Sequence, residues 1–238
     1  MNNKLFYNEN WNSLIDMKMF GPASQWLRFL FSKLINSHIN KSDVKNILDM
    51  GCGEGTNTAL LAKTFPYADI TGIDFSETAI ECACFKYGTD KLKFILDIPS
   101  ENLNNKYDLI TCFEVLEHVE DWQSLLKRMT LSSQRYLLLS FPTGQMREFE
   151  KNVGHFRNFR RNEVENFLHK CGYKVKSVYY AGFPFYSPIY RNLCNITNAA
   201  NNSFTKGSYG LFQRTISLLI YSVFKYLCLK NNGDQFVG

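Results

Sequence analysis

The segment Asp49-Met-Gly51-Cys52-Gly53-Glu-Gly55 constrains the fold more than any other part of the chain. An apolar run, Lys45–Met50, precedes it and reads as a buried strand. Thr58–Thr64 follows and reads as a helix. Closely spaced glycines let the chain turn tightly and let a ligand approach the backbone. The first turn of the following helix then offers unpaired N–H groups to a negatively charged group. A strand, a glycine turn and a helix in that order open a nucleotide-binding α/β unit. In the next expected strand, Asp69–Asp74, the last residue is acidic, and a carboxylate there can accept hydrogen bonds from ribose hydroxyls.

Dinucleotide folds carry GxGxxG. Here the spacing is GxGxG, and Thr56 stands where the later glycine would be. The turn also opens on an acid, Asp49, which would repel a pyrophosphate and attract an ammonium group. An aminoacyl nucleoside suits this turn better than a dinucleotide.

The alternation continues downstream. Leu92–Leu96, Tyr107–Phe113, Arg135–Phe141 and Tyr173–Tyr180 read as strands. Glu77–Phe85, Trp122–Met129 and Arg161–Cys171 read as helices, and Asp234–Gly238 as a last short strand. The pattern predicts an α/β fold with a doubly wound, mostly parallel sheet. Ahead of it, residues 1–43 read as amphipathic helix. Trp26, Leu27, Leu30, Phe31, Leu34 and Ile35 recur at helical spacing after a break at Gly21-Pro22.

The resulting organisation is an N-terminal helical cap (1–43), a core (44–182), a helical lid insertion (183–232) and a final strand (233–238). A connection as long as 183–232 usually carries function. Leu211–Leu229 within it is apolar and long, but Arg214 and Lys225 interrupt it, which argues against a spanning helix. A packed cap helix or dimer helix is one reading of it. A helix lying on a membrane surface is the other.

Four segments in order resemble the class I S-adenosylmethionine-dependent methyltransferases, and within them the small-molecule group of ubiquinone-type O-methyltransferases. They are ILDMGCGEGTNTALLA, ITGIDFS, FILDI and YDLITCFEVLEHVEDW. The resemblance covers roughly 45–180. It implies a Rossmann-like seven-stranded sheet with the last two strands antiparallel, and S-adenosyl-L-methionine as cofactor. Asp49, Gly51, Cys52 and Gly53 would then meet its methionine end. Asp74 would take the ribose, Phe75 and Ile98 the adenine ring, and Asp97 the adenine amino group. Glu114 would sit near the methionine moiety.

For the chemical step, His155 in GHFRNF, His118 in LEHV and Glu114 are the candidates, because an oxygen nucleophile usually needs a base and histidine titrates near neutrality. Arg157, close to Arg160 and Arg161, is a candidate contact for an anionic substrate. Tyr186 and Tyr190 are candidate pocket walls. No metal is expected. Glu114, Glu117, His118 and Asp121 can be drawn as ligands, but the neighbours Glu117 and His118 are expected to diverge.

Composition narrows the partners. Hydrophobic residues at 45% and charged residues at 21% fit a folded protein, not a disordered one. The formal charge of +5 comes from 27 basic and 22 acidic residues, well mixed and without a basic arm. No nucleic acid partner is expected. Seven cysteines without metal or disulfide spacing read as reduced thiols, and no secretory signal is visible. The expectation is a cytoplasmic enzyme, monomer or homodimer, with peripheral contact at the inner membrane face as a second placement. It would methylate an oxygen or nitrogen of a small molecule, with a sugar- or lipid-linked envelope precursor favoured. An RNA- or protein-modifying methyltransferase and a non-catalytic cofactor-binding scaffold are the alternatives.

Overall fold

The computed structural model describes residues 15–97, 106–197 and 207–238. Seven strands form one sheet in the order β3-β2-β1-β4-β5-β7-β6. They are β1 (Asn46–Met50), β2 (Asp69–Asp74), β3 (Leu92–Leu96), β4 (Tyr107–Phe113), β5 (Ser133–Pro142), β6 (Tyr179–Ala181) and β7 (Gln235–Val237). Strands β1 to β5 pair in parallel, and β7 runs antiparallel to both β5 and β6. This is the doubly wound, Rossmann-like sheet the sequence implies. Its order reverses between β1 and β4, and open α/β sheets bind ligands beyond the strand ends at such a point.

Successive residues of the central strands feed two separate cores, as the pleat requires. Ile47, Leu109 and Leu138 face one side, where they join Trp26, Leu30 and Leu34. Leu48, Ile110 and Leu139 face the other, with Trp122, Leu126 and Leu168. Helix α1 (Pro22–His38) therefore belongs to the first core. Proline at its first position costs no intrahelical hydrogen bond. Helices α2 (Thr56–Thr64) and α3 (Glu77–Tyr87) follow β1 and β2. Helix α4 (Trp122–Ser132) begins at Asp121, whose carboxylate accepts from the Ser124 N–H at 3.1 Å. Residues 15–20 are also helical, and further helices are α5 (Glu148–Asn152), α6 (Glu163–Lys170), α7 (Arg191–Ile196) and α8 (Leu211–Leu227).

Two expectations change. The sixth strand forms only at Tyr179–Ala181, although alternation begins at Tyr173. Its one partner in the sheet, β7, is three residues long, so the earlier residues have no ladder to join. The helix expected from Arg161 starts at Glu163, because Asn162 adopts φ 65° and the Glu163 carboxylate turns back to accept from the Arg160 N–H.

The described part of the insertion packs against α1. Tyr186 is buried against Trp26 and Phe224, and its hydroxyl lies 3.1 Å from Oε1 of Gln235. Phe224 of α8 meets Trp26 edge-on at 5.8 Å. These residues buttress α1 from behind. On the outside of α8, Leu211, Phe212, Leu218, Leu219 and Leu227 are exposed. Among the described residues, no helix is long and apolar enough to cross a membrane.

Candidate active site

The glycine turn is shaped by what crowds it. Gly51 has φ 71°, and a Cβ there would come within 2.3 Å of the Val115 side chain. Gly55 has φ 85° and lies against Phe94 and Ala83, so α2 can start close to the sheet. Beside this turn a cavity opens at the carboxyl ends of β1, β2 and β4. Its walls include Gly51, Cys52, Gly53, Asp74, Phe75, Asp97, Glu114 and His118. Eight positions singled out in the sequence thus share one cavity. Ile98 lies outside the described residues.

Asp74 is positioned as an acceptor with a preset direction. Its Oδ2 accepts from the Gly53 N–H and its Oδ1 from the Ser76 N–H, both at 2.9 Å. Burial raises its pKa, and the backbone N–H groups oppose that rise. The carboxylate thereby ties the glycine turn to the start of α3 and closes one end of the cavity.

Asp49 is placed differently from expectation. It is 1% exposed and stands behind the cavity wall. The Thr58 and Thr111 hydroxyls donate to its two oxygens at 2.7 Å each. Each oxygen already carries one bond inside the fold, and the carboxylate does not line the cavity. Burial pushes its pKa up to about 6, against the two hydroxyl bonds. Asp49 links β1 to α2 and β4, and so braces the turn from below.

Glu114 has φ 56°, a rare conformation for a residue with a side chain. It redirects the chain at the end of β4. Its Oε1 accepts from Ser140 at 2.7 Å and from Gln235 at 2.8 Å. Burial raises its pKa. A short 3-10 turn, Leu116–His118, follows. Glu117 on that turn is 0% exposed, and burial, then the nearby Glu114, holds its carboxyl protonated well above the ordinary range.

The 154–158 loop hooks onto this turn. Phe156 N–H donates to the Glu117 carbonyl at 2.9 Å, and Nδ1 of His118 lies 3.2 Å from the Gly154 carbonyl. The His118 and His155 rings meet edge to face at 4.5 Å. Burial lowers the pKa of His118 to about 3, with His155 adding to the effect, and that of His155 to about 4. Both imidazoles are neutral at physiological pH, and both are weaker bases than an exposed histidine. His118 reaches the cavity; His155 stands one ring behind it.

Three expected substrate contacts are elsewhere. Tyr186 and Tyr190 are packed around Phe224, with Tyr190 at 5.2 Å from that ring, so neither walls the cavity. Arg157 is not on the wall either; it is placed where it acts electrostatically on Asp121. Its neighbour Arg161 is occupied, stacked 4.6 Å over Tyr180 and donating to the Gly233 carbonyl at 3.0 Å.

The sequence predicts a helical cap from the N-terminal segment but does not single out the residues by which it lines the cavity. Lys18, Ser24, Leu27, Arg28 and Phe31 all line the cavity. Arg28 is held in place by donating to the Lys18 carbonyl at 2.7 Å and the Met19 carbonyl at 2.5 Å. Burial lowers its pKa, which Glu54 opposes. Phe31 stacks on Phe113 at 3.9 Å and 12°. The available signal was Ser24, Arg28 and Phe31 at one-turn intervals on α1, beside its apolar stripe.

Comparisons with known proteins point to one family. The family model described as "Methyltransferase domain" matches residues 16–178. Malonyl-[acyl-carrier protein] O-methyltransferase of Acetivibrio thermocellus is 32% identical over 117 residues, 47% of this chain and 41% of that protein. Trans-aconitate 2-methyltransferase of Enterobacter sp. is 36% identical over 94 residues, 39% of this chain and 36% of its own. Ubiquinone biosynthesis O-methyltransferase of Coxiella burnetii is 35% identical over 89 residues, 35% of this chain and 36% of its own. The match thus spans well under half the length of these relatives.

Among solved structures, magnesium protoporphyrin IX methyltransferase from Synechocystis PCC 6803 with bound SAH superposes with a TM-score of 0.59 at 19% identity, covering 74% of this chain and 92% of that one. N-methyltransferase NodS from Bradyrhizobium japonicum gives 0.59 at 20%, covering 71% and 86%. The family match over most of the chain, with the same sheet and a crevice at its switch point, makes this protein a member of the class I S-adenosylmethionine-dependent methyltransferases.

Proposed function

We propose that this chain transfers a methyl group from S-adenosylmethionine to an oxygen or nitrogen of a small molecule. One observation carries the reading: Asp74, fixed by two backbone N–H groups, shares a cavity with the glycine turn at the point where strand order reverses. The residues present suit an aminoacyl nucleoside. Asp74 offers carboxylate lone pairs to the ribose hydroxyls. Phe75 and Asp97 lie at the same end, for the base. Arg28 and Lys18 supply positive charge on the α1 side of the cavity, suited to the amino acid carboxylate.

The bound cofactor supplies an activated methyl on a sulfonium. The protein's task is to hold the acceptor in line with it and to keep water out. The new bond forms from the acceptor atom to the methyl carbon, sulfur keeps the electron pair of the bond that breaks, and the acceptor's proton leaves to a base or to water. His118, neutral and on the cavity wall, is the side chain placed to orient an acceptor hydroxyl or amine. Phe31 stacked on Phe113 closes the apolar side of the cavity.

The relatives' names favour oxygen acceptors, since two of them are O-methyltransferases. A sugar- or lipid-linked precursor is the acceptor class we favour. The exposed leucines of α8, in a chain of net charge +5, suit contact with an anionic lipid surface. Calorimetric titration with S-adenosylhomocysteine tests the core of the reading. Saturable one-to-one binding is expected, and no heat from folded protein would overturn it. Cosedimentation with anionic vesicles, lost in Leu218→Glu/Leu219→Glu, tests the finer part.

A further inference from the structure

We propose that Glu117, His118 and His155 form a binding site for a divalent transition-metal ion at the edge of the cavity. One carboxylate oxygen of Glu117 and one ring nitrogen from each histidine lie within 4.8 Å of one another. The sequence argument against a metal was that adjacent residues diverge. The 3-10 turn bends Glu117 and His118 onto a shared side, and the 154–158 loop adds His155 from 37 positions along the chain.

The second observation is Glu117 itself. It is 0% exposed, and neither carboxylate oxygen has a hydrogen-bond partner among the described residues beyond a lean toward its own backbone N–H. A buried carboxylate without partners is costly, and such groups are normally paired or bound to metal. Of its ionisable neighbours, Lys18 is cationic while Glu114 and Glu150 are acidic. An ion that displaced the carboxyl proton would give the buried group a partner.

The histidines are also prepared as ligands hold them. Nδ1 of His118 faces the Gly154 carbonyl at 3.2 Å, and Nδ1 of His155 faces Oδ1 of Asn158 at 3.5 Å. Asn158 is itself anchored by donating to Glu150. Ligating histidines characteristically give their second N–H to a carbonyl or carboxamide, which fixes tautomer and ring direction. Two imidazoles and one carboxylate select zinc, manganese, iron(II) or cobalt, and three protein ligands leave coordination positions open. His118 also lines the cavity, so an ion held by it would lie at the cavity's edge. Resting on the methyltransferase reading, the ion would hold an acceptor oxygen there and favour loss of its proton.

The test uses chelator-treated full-length protein titrated with cobalt(II), read by its visible absorption and by calorimetry. One saturable equivalent with nitrogen and oxygen ligand bands is expected. Glu117→Gln and His155→Ala should each weaken it at least about tenfold. S-adenosylhomocysteine affinity is measured on the same samples. Cobalt that fails to bind while the nucleoside binds overturns this site and leaves the methyltransferase reading intact. The reverse result sinks that reading and keeps the site. Thiolate charge-transfer bands, or binding unchanged in both variants, would place the metal on cysteines or elsewhere and refute the proposal. Thermal melts of the two variants confirm folding.

Discussion

Replacing Asp74 with alanine should have two separable effects, and the structure sizes both. The carboxylate accepts from Gly53 and Ser76 at 2.9 Å each, and the residue is only 7% exposed. Removing it leaves two largely buried N–H groups without their acceptor. Each unsatisfied group costs about 1–3 kcal/mol, and partial access of water to the cavity favours the lower end. A loss of about 2–3 kcal/mol is expected, which for a chain of this length lowers Tm by about 4–12 °C. The second effect is on ligand. Losing a charge-assisted pair of hydrogen bonds to ribose should weaken S-adenosylhomocysteine binding by about 1–3 kcal/mol, roughly five- to 150-fold in Kd. Calorimetry at a temperature well below the variant's melt separates the two. Asp74→Asn keeps one acceptor oxygen and should recover more stability than affinity. If the alanine variant melts early yet binds with unchanged Kd, Asp74 braces the turn and does not hold the sugar.

Three further outcomes follow from the same coordinates. Arg191 and Glu150 form an ion pair with both side chains 3% exposed, so Arg191→Leu should cost about 3–5 kcal/mol in urea unfolding by stranding a buried charge; a loss below 1 kcal/mol would contradict this. Phe31→Ala removes a ring stacked on Phe113 and should destabilise by about 3–5 kcal/mol, read as a lower urea midpoint at constant m. Asp49 carries a folded-state pKa of about 6, above its ordinary value, so between about pH 4 and 6 the folded chain binds more protons than the unfolded one. Its contribution therefore makes stability fall as pH rises through that window, by on the order of 2–3 kcal/mol. Asp49→Asn should flatten that part of the pH–stability curve, and a curve parallel to wild type would refute the assignment.

What could be read from the chain, and what could not, divides by the range of the interactions. The shared placement of Asp74 and the glycines was legible because it depends on a strand, a turn and a helix that lie within a few dozen residues. The local pattern fixes their relative places once β1 and β2 pair. Asp49 was misread for a reason outside that range. The hydroxyl of Thr111 on β4, brought alongside when the two strands pair, takes one oxygen, and Thr58 takes the other. An acid at the start of a glycine turn has the same composition whether it faces ligand or fold. Tyr186 looked like a pocket wall because aromatic residues in a long insertion commonly are. It is core because α8 and Trp26 close over it, a contact no local pattern announces. Arg28 was hidden for the opposite reason: an arginine on an amphipathic helix reads as solvated until the helix is seen to lie over the cavity.

The convergence of Glu117, His118 and His155 shows where a sound local rule gives way. Adjacent side chains do diverge in strands and long helices, but Glu117 and His118 occupy a single 3-10 turn pinned by a loop from beyond β5. That loop is held in turn by Glu150, which accepts from Asn158, from the Arg147 N–H and from Arg191. The buried ion pair far from the glycine turn thus sets where His155 stands. On this reasoning Arg191→Leu should weaken cobalt(II) binding as well as stability, while leaving the Asp74 end of the cavity, and nucleoside affinity, nearly untouched. A variant that lost both ligands together would show that the two halves of the cavity are one mechanical unit.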